Sequence, residues 1–263
     1  GIWTESASNP FYGLMDDFRV YNRALSGQEV LNLYSSSGEA LGILNTAHRN
    51  TLTNGLVGYW SFDGPMVSGT IARDSSPYNN NGTLTNGQTR TIGRLGQALD
   101  FDGNDDWVDV PDGTAVALNT SEGSVCTWVY PVAYPASVSA SGRGNIFEAW
   151  QGASDVGFLG FDGSGGLFFG QYAGDTAAGG TVSLNEWAHV CGLWDSTDFY
   201  IYKNGIQVAN GGDGVMPAST DEYRIGLPKN FASGLTGKLD DFRVYNRVLS
   251  ASDILKLYDN GKQ

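Results

Sequence analysis

FYIYKNGIQVA, residues 199–209, alternates apolar and polar positions on both sides of Asn204-Gly205. A period of two marks a half-buried strand. Asn-Gly is the strongest two-residue hairpin signal, because both residues accept positive φ at little cost. The stretch therefore predicts two antiparallel strands joined by a tight turn. Working outward, the same pattern recurs in LVGYWSF (56–62), GQALDFDG (96–103), DWVDV (106–110), GSVCTWVYP (123–131) and NIFEAW (145–150). It continues through VGFLGFDG (156–163), GLFFGQYAG (166–174), EWAHVCGLW (186–194), YRIG (223–226) and KLDDFRVY (238–245), with FDG and KNG breaks between strands. Strand follows strand with almost no helical period, so the predicted fold is all-β, two antiparallel sheets packed face to face.

One helix is predicted after the last strand. Ser250 stands at an N-cap position with Asp253 three residues on, Ile254, Leu257 and Tyr258 share a face, and Gly261 ends it. Composition agrees: 37 glycines, 12% aromatic and only 16% charged residues fit short strands and glycine turns better than a helical bundle. The net charge of −13 argues against nucleic-acid partners, whose phosphates demand basic patches, and is compatible with calcium and an extracellular setting. No apolar run approaches the roughly 20 residues of a membrane-spanning helix.

One segment is written twice. GLMDDFRVYNRALSGQEVLNLY (13–34) returns as GKLDDFRVYNRVLSASDILKLY (237–258), with 14 of 22 residues identical. The period predicts residues 1–34 to be the closing strand and helix of a preceding copy, 35–54 a linker, and 55–263 a complete domain. The chain also lacks an initiating Met, which reads as processing or excision from something longer. Residues 1–34 are then a leftover of a tandem array, a strand offered to a neighbouring copy, or an element exchanged between protomers.

Together, LVGYWSFDG, GQALDFDGNDDWVDV, SVCTWVYP, EWAHVCGLWD and GKLDDFRVYNRVLS resemble the laminin-G-like, concanavalin-A-like jelly-roll domains of surface proteins, over Gly55–Gly261 in order. The resemblance implies a jelly-roll sandwich. It leaves activity open, since that fold serves lectins, adhesion modules, carbohydrate-binding modules and glycosidases.

Cys126 and Cys191 stand in apolar strands and read either as buried hydrophobes or as a bridge. Pentraxins, a branch of the same superfamily, resemble the chain at both positions, and that implies a disulfide and an oxidising compartment. By simple alternation along KLDDFRVY, Asp240 shares a face with Phe242 and Val244, where a carboxylate needs a partner. The strand resembles the closing strand of laminarinase-type glycosidases, whose aspartate binds a structural calcium, so the resemblance implies a Ca²⁺ ligand at Asp240. Asp63 and Asp102 are the further candidates, set against simple turn roles for each.

Catalysis is not expected. A glycosidase needs two carboxylates flanking the scissile bond; the family's catalytic branch carries them as an E-x-D-x-E cluster, and here Glu148 stands alone in NIFEAW. His189 reads as a strand residue. Sugars stack on exposed aromatic rings, which makes Trp150, Tyr172 and Tyr134 the candidate glycan platforms. Asn81 and Asn119 open glycosylation sequons. The expected protein is an extracellular, secreted or cell-surface recognition module. Its expected partner is a glycan or surface glycoprotein. The alternatives are a filament or sheath repeat assembled through residues 1–34, or an accessory module of a carbohydrate-active enzyme.

Overall fold

The computed structural model describes residues 20–21, 51–111, 121–135, 143–151, 154–171, 176–216, 222–227 and 234–262. The expectations placed on residues 1–34 (apart from Val20 and Tyr21), on most of the 35–54 linker, and on Tyr172 and Asn119 lie outside this set. Contacts divide the chain into Gly1–Arg49 and Asn50–Gln263; the sandwich belongs to the second unit.

Two antiparallel sheets form it, as the strand alternation predicts. The eight-stranded sheet runs β15 (Ile206–Gly211), β14 (Phe199–Lys203), β13 (Ala188–Trp194), β8 (Gly123–Ala133), β17 (Thr236–Tyr245), β6 (Gln97–Asp102) and β5 (Thr89–Ile92), with β1 (Leu56–Trp60) also paired to β17. The nine-stranded sheet runs β12 (Thr176–Thr181), β11 (Gly166–Gly170), β10 (Ser154–Asp162), β9 (Arg143–Gln151), β16 (Glu222–Ile225), β7 (Trp107–Pro111), β4 (Gly82–Thr85), β3 (Ile71–Ala72) and β2 (Val67–Ser68). The β14–β15 hairpin turns on Asn204 and Gly205 at φ 52° and 83°, which is why that pair of residues stands there. Val125 and Val129 of β8, Phe147 of β9, Leu159 of β10, Phe199 and Ile201 of β14, and Phe242 and Val244 of β17 meet in the core between the sheets.

The outer face of the eight-stranded sheet carries a second apolar layer. Helix α1 (Ala251–Asn260) is capped by Ser250, whose Oγ accepts the Asp253 amide. It lays Ile254 and Leu257 over Leu193, Tyr245 and the Cys126–Cys191 disulfide. Cys126 and Cys191 face each other directly across β8 and β13. The described contacts of the sandwich start at Thr51, ahead of Gly55: Leu52 packs under the helix, and the Arg247 guanidinium donates to the Thr51 and Asn54 carbonyls.

The phase of β17 differs from simple alternation. Leu239 and Phe242 both point into the core, three residues apart, and the pairing with β8 slips by one residue between Asp240 and Arg243. The extra residue is Asp241, at φ 54°. This bulge moves Asp240 off the face of Phe242 and Val244 and onto the outer face of the sheet, paired with Trp128.

Candidate functional site

The alternation that buries Val108, Phe147 and Ile225 turns their neighbours outward on the nine-stranded sheet. Asp109 of β7 is registered with Arg224 of β16, and Arg224 with Glu148 of β9, so the three charged residues form one row across three adjacent strands. Trp107, two residues before Asp109, shares that face, and the Arg224 guanidinium lies 4.5 Å from the centre of its ring. A break in the β9–β10 register brings Asn145 to the same face, where its Nδ2 donates to Glu148 Oε1 at 3.2 Å. Among the described residues, Trp107 Nε1 and Asn145 Oδ1 are buried without a hydrogen-bond partner. The row thus combines a carboxylate on either side of a guanidinium, an amide and an indole, with a donor and an acceptor unused.

Sequence reading missed Trp107 and Arg224 as candidates. The signal lies in register among residues 107–109, 148 and 224, which strand patterns alone do not supply. Of the aromatic candidates, Tyr134 is a packing residue: its hydroxyl donates to the Val182 carbonyl and its ring meets Phe161 edge-on. Trp150 sits in β9, paired with Glu222 and Asp155.

The three calcium candidates do not assemble. Asp63 and Asp240 converge on the turn joining β5 to β6: Asp63 Oδ1 accepts the Gln97 amide at 2.8 Å, and Asp240 Oδ2 accepts the Leu95 amide at 2.7 Å. The approach is close enough that a Cβ on Gly96, at φ 63°, would fall 2.1 Å from Asp63 Oδ1. Asp240 is fully buried and its Oδ1 has no partner among the described residues. Burial pushes its pKa up to about 7, against the Leu95 amide, which lowers it. Asp102 lies at the far end of β6, paired with Thr236, so it cannot share an ion with Asp240. Its carboxylate caps its own turn through the Asn104 backbone and side-chain amides, which hold its pKa low. It groups instead with Asp105 and Asp106 beside an open cleft of about 400 Å³.

His189 is a buried strand residue on the same outer face as Asp240. Its ring packs on Trp128 at 5.3 Å, and burial holds its pKa down to about 4. Asp74, unremarked in the sequence, fastens β1: its carboxylate accepts the amides of Tyr59, Ser76 and Asn80 and the Ser76 hydroxyl.

Residues 102–255, more than half the chain, match the family model of the concanavalin A-like lectin/glucanases superfamily. No curated protein matches the chain. Among solved structures, the chain is similar to domain 4 of AbnA, a GH43 extracellular arabinanase from Geobacillus stearothermophilus, in complex with arabinotriose. Identity is 20%, the TM-score 0.60, and the match covers 77% of this chain and 98% of that one. It is also similar to the binding domain of Paraclostridial Mosquitocidal Protein 1 (16% identity, TM-score 0.62, covering 80% of this chain and 53% of that one). Trypanosoma rangeli sialidase in complex with sialic acid matches at 17% identity and TM-score 0.64, over 88% of this chain and 38% of the sialidase. At these identities the likeness is one of fold.

Proposed function

The chain belongs to the concanavalin A-like lectin/glucanases superfamily, and from that premise we propose that it is a non-catalytic glycan-recognition module whose sugar site is the outer face of β7, β16 and β9. The observation that carries this reading is the Asp109–Arg224–Glu148 row beside Trp107. Carboxylates, a guanidinium and an amide are planar groups that form paired hydrogen bonds with vicinal hydroxyls, the carboxylates accepting and the guanidinium donating, and an indole offers the apolar surface on which a pyranose or furanose face packs. Arg224 stands between the two carboxylates, where a glycosidase would leave room for the scissile bond; this favours binding over hydrolysis.

The disulfide supports placement in an oxidising compartment, hence secreted or cell-surface. The domain-sized match to an arabinanase module supports attachment to a carbohydrate-active enzyme as a second reading. Calcium is proposed as a structural ion at Asp240, whose unpartnered buried oxygen supplies one anionic ligand, with Asp63 beside the same turn.

The test is glycan-array screening followed by titration calorimetry with the best hit, arabinotriose and sialic acid included. Arg224→Ala and Trp107→Ala are each expected to weaken binding at least tenfold in variants that near-ultraviolet circular dichroism shows to be folded. Binding unchanged in both variants would remove this face as the site.

A further inference from the structure

We infer that the outer face of the eight-stranded sheet carries a second, weaker glycan site, built on Trp187 and Tyr130 and taking neutral oligosaccharides. It lies on the opposite sheet from the Asp109–Arg224–Glu148 row and does not rest on it. Leu99 and Phe101 of β6, Val129 of β8 and Leu239 of β17 point into the core, so alternation turns Asp100, Tyr130 and Lys238 outward. Register sets these three side by side: Asp100 is the partner of Lys238, and Lys238 of Tyr130. Trp187, one residue ahead of β13, brings its ring to 5.4 Å from that of Tyr130, tilted by 56°.

Two residues along β8, Trp128 is fully buried, with Tyr258 of α1 and the Arg94 guanidinium packed on its ring at 5.6 and 5.1 Å. In the next row Asp100, Lys238, Tyr130 and Trp187 are only half-buried. Beyond them the open cleft of about 400 Å³ is lined by Asp100, Asp102, Asp106, Val132 and Thr236. The polar groups here are largely unspent. Among the described residues, Trp187 Nε1, the Tyr130 hydroxyl and the Asp100 carboxylate make no hydrogen bond. Lys238 Nζ lies 5.3 Å from the centre of the Tyr130 ring and reaches Thr91 Oγ1 only at 3.4 Å. Asp106 is buried and uses Oδ2 on the Asp102 amide at 3.0 Å, leaving Oδ1 to the cleft.

This is the mixture a sugar requires. Its C–H face packs on the indole, its hydroxyls donate to the carboxylates, and they accept from the indole N–H, the phenol and the ammonium. Charge selects the class of sugar. Asp100, Asp102 and Asp106 outweigh Lys238, so a uronic or sialic acid is repelled and a neutral chain is not. With its aromatic floor half in water, the site binds more weakly than the row holding the buried Glu148 and Asn145.

The test is titration calorimetry of the full chain with linear neutral hexasaccharides of glucose, xylose, arabinose and galactose. The Arg224→Ala/Trp107→Ala variant, disabled on the other sheet, is expected to bind at least one of them still. Adding Trp187→Ala is expected to weaken that remaining binding by about tenfold or more. Asp100→Ala in the same background removes a carboxylate that no described residue uses; it is expected to weaken binding by about threefold or more, and it decides the matter if Trp187→Ala loses the cooperative thermal transition. Hexagalacturonic acid is expected to bind about tenfold more weakly than the best neutral chain, and equal affinity would overturn the ligand class. If the wild type binds and the Arg224→Ala/Trp107→Ala variant does not, the second site is wrong and the first stands. If Trp187→Ala alone removes all binding while Arg224→Ala/Trp107→Ala removes none, the first is wrong and the second stands. A wild type that binds no member of the panel overturns the second site outright.

Discussion

Asp240 and His189 sit on one face of the eight-stranded sheet, on either side of Trp128, and pull stability in opposite directions. The folded pKa of Asp240, about 7, lies above its ordinary 3.8, so between these values the folded chain holds a proton that the unfolded chain has released. Its contribution falls as pH rises from about 4 to about 7, by on the order of 4 kcal/mol across the interval. His189 is the reverse. Its folded pKa of about 4 lies below 6.5, so stability is lost as pH falls through that window. In chelator, Asp240→Asn is expected to unmask the His189 slope, its melting temperature climbing from pH 4 to 6.5 while the wild type stays flatter. A calcium ion on Asp240 stabilises only the ionised carboxylate. Added calcium should therefore raise the wild-type melting temperature more at pH 7.5 than at pH 5, and leave D240N unmoved. An equal calcium effect in D240N places the ion elsewhere.

At the scale of elements, what could be read from sequence divides by whether the rule is local. The β14–β15 turn was legible because Asn204 and Gly205 encode it between themselves, and helix α1 because Ser250, Asp253 and its apolar face are consecutive signals. The bulge in β17 was not, since nothing in LDDFRV distinguishes an aspartate at positive φ from one in regular extended backbone. What holds it is tertiary. The Arg243 guanidinium donates two hydrogen bonds to Asp241 and lies 3.9 Å from the Tyr59 ring centre. Removing the carboxylate strands a largely buried cation, at a cost of about 3–5 kcal/mol, or roughly 10 °C in melting temperature for a domain of this size. Asp241→Ala is expected to show that loss. Asp241→Gly should lose less, because glycine relieves the positive φ while breaking the same ion pair. Equal losses in calorimetric scans would mean that the backbone conformation carries no strain.

For the whole molecule, the sandwich was legible as a sum of strands, while the candidate site was not, because it exists only in register. Asp109, Glu148 and Arg224 lie far apart in sequence, and each looks like a solvent-facing residue of its own strand until β16 is inserted between β7 and β9. The disulfide is the global counterpart of that problem. Cys126 and Cys191 are 65 residues apart and directly opposed across β8 and β13, under the layer of α1. Closing a loop of that length restricts the unfolded chain by about 4 kcal/mol in the chain-entropy account. The native contacts around it, β8 with β13 and the helix above, do not depend on the bond. The Cys126→Ala/Cys191→Ala variant is therefore expected to fold and to keep its glycan affinity within about twofold, since the proposed sugar face belongs to the other sheet. Its melting temperature is expected to drop by about 8–16 °C. Calorimetry of that variant beside the reduced wild type measures it. An unchanged melting temperature would show that the unfolded chain is already restricted between β8 and β13 without the bond, and an affinity loss comparable to that of Arg224→Ala would show that the two sheets are not energetically separate.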